Sequence, residues 1–118
     1  PTAVRYLPDG RPDPTYGQGG VALIPALLQH VTYSFANAWS LACDDRLVVG
    51  GGVGGNPVVA VLDANGRAVD GDDLWLGRVS SSPPGLVNGV VSLSAQRYAL
   101  VMQYGAHPNR IGLGVLTQ

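Results

Sequence analysis

Val4-Arg5-Tyr6-Leu7-Pro8-Asp9-Gly10-Arg11-Pro12-Asp13 and Ala60-Val61-Leu62-Asp63-Ala64-Asn65-Gly66-Arg67-Ala68-Val69-Asp70 are two versions of one phrase. Each is an apolar run that enters an Asp-Gly or Asn-Gly turn and continues into Arg and then Asp, and Gly66 stands 56 positions after Gly10. Ile111-Gly112-Leu113-Gly114-Val115-Leu116-Thr117-Gln118 reads as the apolar run a third time. Self-similarity at a period of this size is the mark of a repeat architecture. Asp-Gly and Asn-Gly suit two-residue hairpin turns whose central residues need φ > 0, so the phrase predicts a tight hairpin.

Between the copies lie two matching interiors. Asp44-Asp45-Arg46-Leu47-Val48-Val49-Gly50-Gly51-Gly52 and Ala95-Gln96-Arg97-Tyr98-Ala99-Leu100-Val101-Met102-Gln103 are each a polar turn, an Arg and a run of β-formers. Further strands are expected at Gly20–Ile24, Ser34–Ala42, Leu74–Val79 and Leu86–Ser94. Ile24–His30 suits at most a short helix, since Pro25 and the β-branched Val31-Thr32 bound it. Ser34–Cys43 is ambiguous by propensity and is read as strand by its register with Leu86–Ser94. The count is four short strands per unit. A four-stranded antiparallel meander repeated at a fixed period is the blade of a β-propeller. The expected fold is therefore all-β, with β-propeller-type four-stranded antiparallel blades, about two in this chain. Residues 1–118 form one domain: 1–10 an outer strand and turn, 11–66 blade one, 67–118 blade two.

Composition agrees with this. All seven basic residues are Arg and all eight acidic residues are Asp, beside 17 Gly and 9 Pro. Without Glu or Lys, and with Asp favouring turns, long surface helices are disfavoured. The net charge of −1 and scattered arginines give no footprint for nucleic acid. No stretch approaches the ~20 apolar residues of a membrane helix, so no membrane span is expected. Pro1 rather than Met opens the sequence, which fits a processed or trimmed product. Charged residues are 13 %, against ~25 % in average domains, which points either to a well-covered protein or to one that hides surface against other copies or other chains. Cys43 is read as a small buried strand residue, because Asp44 and Asp45 beside it would oppose thiolate formation.

The stretch Tyr6-Leu7-Pro8-Asp9-Gly10-Arg11-Pro12-Asp13-Pro14-Thr15-Tyr16-Gly17-Gln18-Gly19-Gly20 resembles the signature of the delta-60 repeat of bacterial β-propeller proteins. Asp44-Asp45-Arg46-Leu47-Val48-Val49-Gly50-Gly51 is similar to that family's second hallmark, a turn followed by an apolar strand ending in Gly. The resemblance is good in the first repeat and weaker in the second, where no aromatic-Gly step follows Asp70 and Gln96 replaces Asp45. It implies a propeller found in large exported or surface proteins, mostly without an assigned reaction. An extracellular, cell-surface or periplasmic location is the corresponding expectation. Gly17, Gly19 and Gly20 are expected to let backbones approach between blades.

Propellers close with about 4–8 blades, so roughly two blades need something to cover their open faces. That something is either further copies, in a homo-oligomer, or a second fragment or chain that completes the propeller. The sequence offers little catalytic machinery. The glycines Gly50–Gly55 lack the Gly-Lys-Ser/Thr ending of a phosphate loop and are read as a flexible hairpin loop. Asp70, Asp72 and Asp73 form the one acidic cluster dense enough to suggest Ca²⁺, although their spacing is not that of an EF-hand and a solvated turn is the plainer reading. His30 and His107 define no metal site, and Ser80–Ser82 lie in no nucleophile elbow. Trp39, Trp75 and Tyr104, with Arg97, are the candidate ligand-facing residues, since aromatic rings stack on sugars as readily as they fill a core. The leading function is a non-enzymatic scaffold or binding module with no cofactor. Its alternatives are a lectin-like, glycan-binding propeller and a hydrolase or lyase with a site in the central channel.

Overall fold

In a computed structural model the described residues are 1–24, 34–69, 74–75, 85–94, 96–104 and 110–117. They form β1 (Thr2–Val4), β2 (Val21–Leu23), β3 (Ser34–Leu41), β4 (Leu47–Val53), β5 (Asn56–Leu62), β6 (Leu74–Trp75), β7 (Gly85–Ser94), β8 (Arg97–Tyr104) and β9 (Arg110–Thr117). The strands make three antiparallel sheets: a ribbon β1-β2, a central sheet β3-β4-β5-β6 and an outer sheet β7-β8-β9. The protein is all-β, and the expected strands at 20–24, 34–42 and 86–94 fall where β2, β3 and β7 lie. Of the stretch 74–79, residues 74–75 form β6 and the rest lie outside the described residues, as does 25–30 of the short helical candidate.

The three sheets stack face to face with the central one in the middle. Val48, Val59 and Val61 on one side of β4 and β5 pack against Val87, Val90, Tyr98 and Leu100 of the outer sheet. On the other side, Val49, Val53, Val58, Ala60 and Leu62 pack against Tyr16, Ala22 and Ile24. This double burial explains the near-continuous apolar runs of β4 and β5, since a strand covered on both faces has no solvent side to leave polar. β7 and β8 are covered on one face only, and their burial alternates accordingly.

The hairpin turns differ from the expected geometry. Leu7–Arg11, Ala42–Arg46 and Asp63–Arg67 are one five-residue turn used three times. The first N–H donates to the fifth carbonyl at 2.8 Å in all three, and the fourth N–H donates back to the first carbonyl at 2.9, 3.1 and 2.9 Å. The fourth residue is left-handed in each, with φ +85° at Gly10, +60° at Asp45 and +77° at Gly66. This is a type I turn closed by a left-handed bulge residue, which needs one positive φ rather than two. The two-residue turns are instead Gly19-Gly20 and Gly54-Gly55, where both central residues have positive φ.

Two further expectations are corrected. Cys43 is exposed, because it is the second residue of the Ala42–Arg46 turn, while Ala42 occupies the buried position next to it. Gly50–Gly52 are not a flexible loop; they lie inside β4 and are buried. A Cβ on Gly50 would meet Val87 Cγ1 at 2.5 Å, so it is Gly50 that lets the central and outer sheets approach. Gly66 does the same on the ribbon side, where an added Cβ would meet the Tyr16 ring at 2.9 Å.

Candidate binding cleft

β3 alternates across its sheet: Ala38 and Ser40 face the outer sheet, and Trp39 and Leu41 pair with Val49 and Leu47 on the ribbon side. The ribbon covers β4 and β5 but leaves β3 open. Trp39 is consequently 71 % exposed although it sits in the middle of a strand. It looks into a half-open cleft of about 820 Å³ whose other wall is the β1 segment from Thr2 to Tyr6. Asp45 borders the cleft and is its one carboxylate among the described residues.

Arg5 also touches the cleft, but its guanidinium is engaged elsewhere. Nε donates to Asp13 Oδ2 at 2.8 Å, Nη1 to the Ala64 carbonyl at 2.6 Å and Nη2 to Thr15 Oγ1 at 3.2 Å. The same group lies 4.6 Å above the centre of the Tyr16 ring. Thr15 hydrogen bonds, from its hydroxyl and its amide, hold the Asp13 carboxyl below the usual aspartate range, and Arg5 adds to the effect. Burial pushes the Tyr16 hydroxyl upward. Gly17 N–H donates to the Asn65 carbonyl at 2.7 Å. The Asp-x-Thr-Tyr-Gly segment is thus a clamp that seats the ribbon on the Asp63–Arg67 turn, and its role is structural.

The four candidate ligand residues stand on three strands of two sheets. Trp39 lies on β3, at one edge of the central sheet, and Trp75 pairs with Val58 from β6 at the other edge. Arg97 and Tyr104 open and close β8, pairing with Thr117 and Arg110 respectively. Trp39 lines the cleft. Asp70, Asp72 and Asp73 lie outside the described residues, as do His30, His107 and Ser80–Ser82. Among the described residues no three His, Cys, Asp or Glu side chains gather as a metal group would require, and no helix is long and apolar enough to cross a membrane.

Tyr6 was not singled out in the sequence and is the second exposed aromatic of the cleft. Also unread was a polar ladder between sheets, in which Asn37 Nδ2 donates to Asn88 Oδ1 at 3.3 Å and Asn88 Nδ2 to Gln103 Oε1 at 2.9 Å. Asn37 and Asn88 occupy the bulges of β3 and β7. Their spacing of 51 residues, shared by Arg46 and Arg97, was the available signal.

No family model matches the chain, and neither the curated proteins nor the solved structures contain a match to it. What the cleft can do chemically follows from its residues. An exposed indole and an exposed phenol lining one cleft with apolar residues suit stacking on a flat, partly apolar ligand face.

Proposed function

We propose that the chain is a non-enzymatic scaffold or binding module of β-propeller type, akin to the delta-60 repeat proteins, whose fold is completed by oligomerisation or by another chain. The observation that carries this reading is the stacking itself. Apolar side chains pack against both faces of β4 and β5, and both ends of the stack keep apolar side chains open to solvent. Val4, Val21 and Leu23 are exposed at the ribbon end, and Val91, Val101, Ile111, Leu113 and Val115 at the outer-sheet end. Apolar patches of this kind mark association surfaces. The test is light scattering with native mass spectrometry on the purified protein. Assemblies larger than 12.2 kDa support the reading, and a lone monomer across the micromolar range overturns it.

A second reading, a lectin-like module, is favoured by Trp39 and Tyr6 in the open cleft. A glycan array giving hits that Trp39→Ala abolishes supports it; an array without hits counts it out.

A further inference from the structure

β7-β8-β9 repeats β3-β4-β5 strand for strand. The bulges at Asn37 and Asn88 coincide, and so do the arginines that open β4 and β8. Register then gives each residue of the outer sheet a counterpart in the central one. Val101 pairs with Leu113 as Gly50 pairs with Val59, and Ala99 with Val115 as Val48 with Val61. The counterparts differ in one respect. Val59 and Val61 are 0 % and 2 % exposed, covered by the outer sheet, whereas Leu113 and Val115 are 82 % and 59 % exposed.

β9 is also patterned the wrong way for a strand on the open side of the stack. Ile111, Leu113 and Val115 point away from the molecule, while Gly112 and Gly114 point toward it. A strand with solvent on one face places its large apolar residues inward and its small or polar ones outward. β9 is instead built to be covered, as β5 is.

The chain itself shows what covers such a face: a second sheet stacked on it, presenting its opposite face. In the ribbon, Val4 pairs with Val21 and Thr2 with Leu23, on the side away from buried Ala22. This is the corresponding opposite face, and it too is open.

We propose that the outer face of β7-β8-β9, centred on Leu113, docks on the Val4-Val21-Leu23 face of a second copy, head to tail. The inference rests on the reading of the chain as a fold completed by association, and names the partner and the two surfaces. Because the two surfaces differ, the contact is heterologous, so copies form a closed ring or an open series.

Two single variants test it, Leu113→Asp and Leu23→Asp, with Ile111→Asp and Val21→Asp as replacements should either lose its β-sheet circular dichroism. Each variant keeps one of the two surfaces. The expected result is that each alone falls to 12.2 kDa, and that an equimolar mixture recovers a one-to-one dimer. Three results overturn the proposal while leaving association intact: wild type assembled and both variants still assembled, only one variant disrupted as in a same-face dimer, or wild type bound to a different polypeptide. A mixture that stays monomeric also overturns it. A monomeric wild type overturns the underlying reading instead.

Discussion

Replacing Gly50 by Ala probes the contact between the central and outer sheets with a single carbon. The new Cβ would lie 2.5 Å from Val87 Cγ1 and 3.1 Å from Val87 Cβ, where carbon pairs are at rest near 3.5–4.0 Å. Val87 is fully buried and β-branched, so its χ1 is restricted and relief requires the sheets to part. Overpacking of this kind costs about 1–3 kcal/mol. Exchanging Gly for Ala inside a strand recovers about 0.5–1 kcal/mol of backbone entropy, because the conformation at Gly50 is open to any L-residue. An approach of 2.5 Å to a buried side chain belongs in the upper half of that overpacking range, so the net expectation is a loss of about 1–2.5 kcal/mol, read as a lower midpoint in urea unfolding followed by circular dichroism. The double variant Gly50→Ala/Val87→Ala should lose at least ~1 kcal/mol less than the sum of its parts, since each change makes room for the other. Gly114→Ala is the control. Its Cβ would approach only the terminal methyl of Met102, at 3.2 Å, so stability should hold within about 0.5 kcal/mol. A Gly50→Ala protein as stable as wild type, or a strictly additive cycle, would refute the stacking described for these sheets.

Gly66→Ala combines a left-handed φ with contact on the Tyr16 ring and should cost about 2–4 kcal/mol in the same unfolding assay. Asp45→Gly should stabilise by about 0.5–1 kcal/mol, because Asp45 alone among the described non-glycine residues holds a positive φ; the readout is a raised thermal midpoint. Asp13 has its pKa lowered below 3.8 in the folded protein, so the stability it adds is complete above that value and is lost as pH falls through the lowered one. Thermal midpoints should therefore drop on acidification below about pH 4, with Asp13→Asn showing a shallower fall. Cys43 should react with a water-soluble disulfide reagent in the native protein as fast as in urea, and protection in the native state would contradict its exposed position in the turn.

The repeat and most strands were legible because their punctuation is local. Arg11, Arg46 and Arg67 each close a turn, and Arg46 and Arg97 each open an apolar run, so spacing alone aligned the units. The errors came where one dipeptide serves two geometries. Asp9-Gly10 and Asn65-Gly66 are as compatible with a bulged five-residue turn as with a two-residue one, and the same bulged turn at Ala42–Arg46, which has no Asp-Gly to mark it, carries Cys43 into solvent. Gly50–Gly52 resemble a loop by composition, and only the proximity of Val87 shows why a buried strand wants glycine there. Trp39 was visible as a candidate. Its exposure was not, because it depends on the ribbon stopping short of β3, a contact made between residues far apart in sequence.

β4 and β5 have no face of their own in water, and this sets how the molecule should breathe. They are covered on both sides, whereas the ribbon and the outer sheet each have one layer behind them. In stacked repeats, opening begins at the ends and moves inward. Hydrogen exchange should accordingly be slowest at Val48, Val59 and Val61, with β1 and β9 exchanging through openings that leave those three closed.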